Sequence, residues 1–170
     1  TGVIAPLWGD FDNDGLVDVY FCRRGTNQLW KQVKPGQWQD VTGASKAGGA
    51  DLETVDGVCL DLDHDADLDL LLIQRGGPAQ LLNNNRDGTF EDISKKVGVD
   101  RSGAETAAVT VADFDGDRDL DLLLLDVAGK GPRKNILLWN DRSWRYHADG
   151  KLGDLATASL TVALAADTNA

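Results

Sequence analysis

Aspartate recurs at every second residue in three stretches of the chain: DFDNDGLVD from Asp10, DLDHDADLD from Asp61 and DFDGDRDLD from Asp113. As plain β-strands these would line like charges along one face, because strand side chains alternate with period two. Strands are depleted in Asp, and like charges at that spacing repel. Curled into a loop, the same residues can turn their oxygens toward one point. Ca2+ accepts roughly six to eight oxygen ligands at about 2.3–2.6 Å in flexible geometry, from carboxylates, backbone carbonyls and water. Mg2+ demands stricter octahedral geometry and keeps its waters, and softer metals want His or Cys at ligand positions. The chemistry expected of these residues is therefore the holding of Ca2+, about three ions, one for each complete loop.

Counting from the first aspartate, Asp10, Asp12, Asp14 and Asp18 occupy positions 1, 3, 5 and 9 of the first loop. Asp61, Asp63, Asp65 and Asp69 hold the same places in the second, and Asp113, Asp115, Asp117 and Asp121 in the third. Position 7 is Leu16, Asp67 or Asp119. An EF-hand would need a bidentate Glu at position 12, where this chain has Phe21, Leu72 or Leu124, and amphipathic helices on both sides. Position 6 is Gly15 in the first loop, where a sharp turn is easiest, but Ala66 and Arg118 in the others. A strained non-glycine residue there costs on the order of 1 kcal/mol. His64, at position 4, is expected to point outward as a surface residue.

What positions the loops is legible from their repetition. The start-to-start spacings are 51 and 52 residues, and a fourth copy opens at Asp167 with Asn169 two places on. An apolar segment precedes each loop (GVIAPLW, TVDGVCL, TAAVTVA) and another follows it (VDVYFCR, LDLLLIQ, LDLLLLD). Third segments read NQLWKQV, AQLLNNN and KNILLWN, and fourth segments carry an aromatic at Trp38, Phe90 or Trp144. Four short strands in about 51 residues, repeated in tandem, is the pattern of a β-propeller blade. The expectation is an all-β chain of four-stranded antiparallel blades, about three plus the start of a fourth, as a segment of a larger propeller. The repeats fall near 1–51, 52–103 and 104–157, with a partial one over 158–170. An all-β solenoid of the same period is the alternative architecture. NRDGTF, from Asn85 to Phe90, reads as a hairpin turn, and Ser94–Val99 as a single helical turn.

Composition narrows the partners. With 17 basic and 28 acidic residues the formal net charge is −11, which opposes binding to nucleic acid or to an anionic membrane surface. Arg23-Arg24, Lys95-Lys96 and Arg133-Lys134 are scattered pairs on what reads as solvated surface. No apolar run approaches the roughly 20 residues needed to cross a bilayer, so membrane insertion is not expected. TGVIAPLWGDF lacks the basic start and apolar middle of an export leader, so export would rest on a segment preceding it. Cys22 and Cys59 sit in apolar runs and read as small core residues, with no disulfide assignable.

DFDNDGLVD, DLDHDADLD and DFDGDRDLD resemble the calcium loops of FG-GAP/VCBS repeats, the blades of integrin-α-like propellers. NNNRDGTFEDIS and NQLWKQV with WQDVT are similar to the branch of that family related to cartilage acidic protein. The resemblance implies a propeller of usually seven blades with calcium in the hairpin between a blade's first two strands. It implies side-chain ligands at positions 1, 3, 5 and 9 and a backbone carbonyl ligand at Leu16, Asp67 or Asp119. It also implies extracellular adhesion, ligand recognition or surface scaffolding, with a protein or glycan partner at the cell surface. Three repeats do not close a ring, so further blades of a longer chain or self-association are expected.

Catalysis finds little support. The chain has no Gly-x-Ser-x-Gly, His-Glu-x-x-His or glycine-rich phosphate loop, and His64 and His147 lack an evident nucleophile. A carbohydrate-binding role beside a carbohydrate-active enzyme is one alternative, with Trp8, Trp30, Trp38, Trp139 and Trp144 as stacking faces. The stronger expectation is that most of these tryptophans pack within or between blades. A self-assembling structural subunit is the other alternative, because unpaired terminal blades leave edges that demand a partner.

Overall fold

The computed structural model describes residues 2–127, 135–148 and 152–158. Among the described residues, twelve strands form three antiparallel four-stranded sheets, each a meander with its strands in chain order. Blade one comprises β1 (Val3–Gly9), β2 (Asp18–Arg23), β3 (Gln28–Lys34) and β4 (Gln37–Asp40). Blade two comprises β5 (Thr54–Leu60), β6 (Asp69–Gln74), β7 (Gln80–Asn84) and β8 (Phe90–Asp92). Blade three comprises β9 (Thr106–Ala112), β10 (Asp121–Asp126), β11 (Ile136–Asn140) and β12 (Tyr146–His147). Antiparallel meanders stacked face to face are propeller-like blades, and the solenoid alternative falls with them. The partial fourth repeat, with Asp167 and Asn169, and the Arg133-Lys134 pair lie outside the described residues.

The blades touch in order: β1 and β2 lie against β5, and β6 lies against β9. Blade two is therefore covered on both faces, which explains why β6 is buried at every position. Its side chains divide by strand alternation. Leu70 and Leu72 join Phe11, Tyr20, Cys22, Leu29, Leu82 and Phe90 in the core between blades one and two. Leu71 turns the other way, to Leu62, Leu81, Val97, Leu122, Leu124 and Leu138 between blades two and three. Each buried leucine contributes roughly 1.5–3 kcal/mol over an exposed one, so the two seams hold the stack together.

Loop position 2 reaches across each seam. Phe11 is 4% exposed and meets the ring of Phe90 edge-on, with centroids 6.2 Å apart. Leu62, fully buried, packs in the same core as Tyr146 of blade three. Strand register makes Trp38 the blade-one counterpart of Phe90 and Tyr146, since each pairs with Gln32, Asn84 or Asn140 on the third strand; the third aromatic is therefore Tyr146 and not the expected Trp144, which lies in the turn before β12.

The tryptophans divide. Trp30, Trp139 and Trp144 are half-buried, in line with packing roles, whereas Trp8 and Trp38 are 56% and 37% exposed and meet edge-on at 6.2 Å. Cys22 is buried, Cys59 is half-buried with its Sγ 3.3 Å from the Trp8 carbonyl oxygen, and both are free thiols. A helical turn follows each fourth strand among the described residues: α1 (Thr42–Ser45), α2 (Ser94–Val97) and a 3-10 turn over Gly153–Ala156. Of these, the sequence predicts α2 alone. Yet α1 and α2 start alike: Asp40 accepts the Thr42 N–H at 3.0 Å, and Asp92 accepts the Ser94 N–H at 2.9 Å. In the NRDGTF turn, Asn85 N–H reaches the Thr89 carbonyl at 2.9 Å and Gly88 takes φ +83°.

Candidate metal centres in the blade loops

Each aspartate loop joins the first two strands of its blade, and the three hairpins share one register. Gly9 pairs with Asp18, Leu60 with Asp69, and Ala112 with Asp121, so positions 1 to 8 lie between a closed pair of strand ends. The chain folds back tightly by entering the left-handed region twice. Asn13, His64 and Gly116 do so at position 4, with φ of 57°, 64° and 83°. Gly15, Ala66 and Arg118 do so at position 6, with φ of 85°, 73° and 75°. The strain expected at Ala66 and Arg118 is therefore real, and His64 adds to it in the second loop.

That fold turns backbone N–H groups inward. Asp10 accepts from Asp14 N at 3.1 Å and Gly15 N at 2.8 Å, and Asp61 accepts from Asp65 N at 3.1 Å and Ala66 N at 3.0 Å. Asp113 accepts from Gly116 N, Asp117 N and Arg118 N, at 2.7 to 3.2 Å. Position 9 is held as firmly from the other side. Asp18 accepts from Phe11 N and Gln32 N, Asp69 from Leu62 N and Asn84 N, and Asp121 from Phe114 N and Asn140 N, all at 2.8 to 3.1 Å. One carboxylate thus ties its loop to the third strand of its blade.

The result is three matching clusters. Asp10, Asp12 and Asp18 bring one oxygen each within 4.8 Å of the others, as do Asp61, Asp63 and Asp69, and Asp113, Asp115 and Asp121. Positions 1, 3 and 9 are gathered; position 5 is not part of these groups. Asp14, Asp65 and Asp117 each turn one oxygen back to the N–H of position 7, at 2.8 to 3.0 Å. That bond uses one oxygen of each position-5 carboxylate and leaves the other able to accept elsewhere.

Electrostatics marks the clusters as strained without a cation. Burial pushes the Asp69 carboxyl up to about 7, with the Asp63 and Asp65 charges adding to it against two backbone N–H bonds that lower it. Asp18 and Asp121 are raised for the same first reason, burial. Asp63 is raised by burial and by the charges of Asp65 and Asp61. Its buried Oδ1 has no hydrogen-bond partner, an acceptor costly to leave so. A hard cation satisfies all of these demands together, and the donor set (carboxylate oxygens with no thiolate or imidazole) fits one. Three acidic clusters able to hold a metal are thus present. Asp10, Asp12 and Asp18 and their counterparts would hold it, and its charge would offset their repulsion.

Position 7 departs from the expectation in its side chain. The resemblance implies a role for Asp67 and Asp119 through their backbone carbonyls, but their carboxylates, 4% and 6% exposed, are bound in their own right. Arg86 Nε lies 2.8 Å from Asp67, and Arg142 contacts both Asp119 oxygens at 3.1 to 3.2 Å. Position 4 of the preceding loop joins them: Asn13 Nδ2 donates to Asp67, and His64 Nε2 lies 3.2 Å from Asp119. His64 is therefore not simply a surface residue; it links two loops across a seam.

Sequence reasoning missed the third-strand amides that join consecutive loops. Asn84 Nδ2 donates to the Phe11 carbonyl of the preceding loop at 2.8 Å and to the Leu68 carbonyl of its own at 3.4 Å. Asn140 Nδ2 does the same with Leu62 at 3.2 Å and Leu120 at 3.1 Å. Gln32 in blade one reaches Val17 of its own loop at 2.8 Å. A signal existed in the paired patterns Asn84-x-Arg86 and Asn140-x-Arg142, which accompany the two loops with Asp at position 7.

Blades of this topology with three aspartate loops in one register define a class, and the comparison with known proteins gives it its name. The FG-GAP-like repeat family matches residues 10–72 and again residues 61–124, so the chain belongs to it. Each match runs from one aspartate loop into the second strand of the next blade. Cartilage acidic protein 1 of Xenopus tropicalis is 30% identical over 162 residues, 91% of this chain and 24% of that protein. The chain therefore spans about a quarter of the length of the curated relative it matches. Among the described residues no helix is long and apolar enough to cross a membrane.

Proposed function

We propose that the chain is a calcium-binding, non-enzymatic module of an extracellular β-propeller, in which one Ca2+ per loop pins the first hairpin of each blade. The observation that carries this reading is the threefold recurrence of one geometry: a buried position-9 carboxylate, held by two backbone N–H groups, beside the carboxylates of positions 1 and 3. Asp10, Asp12, Asp14 and Asp18 supply the side-chain oxygens of the first site, with the Leu16 carbonyl. Asp61, Asp63, Asp65 and Asp69, with the Asp67 carbonyl, supply the second. Asp113, Asp115, Asp117 and Asp121, with the Asp119 carbonyl, supply the third. Family membership supports placement outside the cell, where calcium is abundant. The pinned blades would then present a rigid surface for adhesion, ligand recognition or scaffolding, toward a protein or glycan at the cell surface. Calorimetric titration with CaCl2 tests this: binding of about three ions is expected, with Mg2+ much weaker, and a flat isotherm overturns it.

A glycan-binding role has one observation in its favour, the exposed and adjacent Trp8 and Trp38. Blade register argues for a different use, because the counterpart of Trp38 in blade two, Phe90, is 4% exposed beneath Phe11. A glycan array decides between them: hits lost in Trp8→Ala would establish the sugar site, and an array without hits would remove it.

A further inference from the structure

The three loops are alike in backbone and unlike in one neighbour. In blade one, Lys31 on β3 places its ammonium against Asp12 and 3.0 Å from Asp14 Oδ2. Asp12 belongs to the first acidic cluster, and Asp14 is the position-5 carboxylate of the same loop.

Among the described residues, no such cation serves the other loops. Val19 pairs with Trp30, Leu70 with Leu82 and Leu122 with Leu138, so the residues equivalent to Lys31 are Asn83 and Trp139. Asn83 Nδ2 donates to Asn85, away from the loop. Arg86 and Arg142 approach the second and third loops but are spent on Asp67 and Asp119, whose carboxylates lie outside the clusters. Among the described residues, the position-1, -3, -5 and -9 carboxylates of loops two and three make no ion pair.

We propose that Lys31 is a built-in competitor for the cation of the first loop, so that this loop binds calcium more weakly than the loops at Asp61 and Asp113. The inference rests on the reading of the loops as calcium sites. A Ca2+ entering the first loop must take Asp12 from the ammonium and then tolerate a like charge beside it. Lys31 is 30% exposed on a flexible stem, so it can swing into solvent when displaced, at the cost of its two contacts. In the absence of metal it partly neutralises the loop, which needs the ion less.

Calorimetric titration of CaCl2 into the wild type, Lys31→Gln and Lys34→Gln tests the proposal. The wild type is expected to show two tighter ions and one weaker. Lys31→Gln should tighten the weaker ion on the order of fivefold, as expected for two exposed ion pairs given up, and leave the other two unchanged. Lys34→Gln, which removes the same charge from the end of the same strand, should change none of the three. An unchanged weaker ion in Lys31→Gln, or equal tightening in Lys34→Gln, overturns the proposal while leaving the calcium sites standing. Absence of calcium binding in all three proteins overturns the reading of the loops and the inference with it. Should Lys31→Gln misfold by circular dichroism, Lys31→Met, which keeps the aliphatic stem, carries the same expectation.

Discussion

The loop at Asp10 and the loops at Asp61 and Asp113 trace the same backbone but find their positive charge in different places. In blade one position 7 is Leu16, and Lys31 comes directly onto the carboxylates of positions 3 and 5. In blades two and three position 7 is an aspartate, and an arginine from the turn after the third strand takes that residue instead. The cradle of N–H groups around positions 1 and 9 is indifferent to this change. Scaffold and charge compensation are therefore separable: the hairpin register and its two left-handed residues build the site, and side chains on β3, β7 and β11 or just beyond decide how much of its charge is left for an ion.

Removing calcium gives the largest expected effect and separates the blades. Filling one site at a thousand times Kd adds about 4 kcal/mol, and each 1 kcal/mol shifts Tm by roughly 2–4 °C at this size. Scanning calorimetry with chelator should therefore lower Tm by tens of degrees against millimolar Ca2+. Blade one, with Lys31 in place, should lose less protection in hydrogen exchange than blades two and three; equal loss would break the contrast.

Next in size is pH in the metal-free protein. Burial lifts Asp69 from its unfolded value of 3.8 to about 7, so the folded state binds the proton more tightly than the unfolded one. Its contribution is present in full below 3.8 and is lost as pH rises through about 7, by as much as about 4 kcal/mol. Urea denaturation without metal should show stability falling across that window, and saturating Ca2+ should flatten it by keeping the carboxylate ionised.

The third-strand amides offer a smaller and more local test. Asn84→Ala and Asn140→Ala each leave two carbonyls short of a donor on opposite sides of a seam, and should cost about 1–3 kcal/mol in urea denaturation. Gln32→Ala loses a bond within its own blade and should cost less. Of similar or smaller size, Arg86→Ala and Arg142→Ala take an exposed guanidinium from carboxylates that are only 4% and 6% exposed; Asn13 and His64 still reach Asp67 and Asp119, so each should cost about 1 kcal/mol and barely move calcium affinity. A large loss of affinity would mean that position 7 belongs to the site.

Much of this was legible in the residues themselves. The 51- and 52-residue spacing announced the blades, and the turn from alternating aspartate to an unbroken apolar run marked the end of each loop and the start of a doubly covered strand. Position 6 could be recognised as a tight point because Gly15 stands there. Position 4 could not, since Asn13, His64 and Gly116 share only a backbone angle. The role of His64 was hidden because its partner, Asp119, belongs to the next blade. Lys31 escaped for a related reason: its contact with Asp12 depends on strand register, which local pattern does not encode. The helical turn at Thr42 was missed although Asp40-x-Thr42 repeats Asp92-x-Ser94, because a four-residue turn is too short to show a helical period.

The position-9 carboxylate also sets an order of assembly. Asp69 takes one of its two N–H partners from Asn84, fifteen residues further along the chain, and Asp121 takes one from Asn140, nineteen residues on. As the polypeptide leaves the ribosome, a loop can be synthesised in full and still lack its finished shape until the third strand of its blade arrives. That same Asn84 or Asn140 then reaches back to the loop before it. The same residue thus completes its own blade's loop and docks that blade on the one before, so no loop has all of these partners until the chain has been made through the third strand of the following blade.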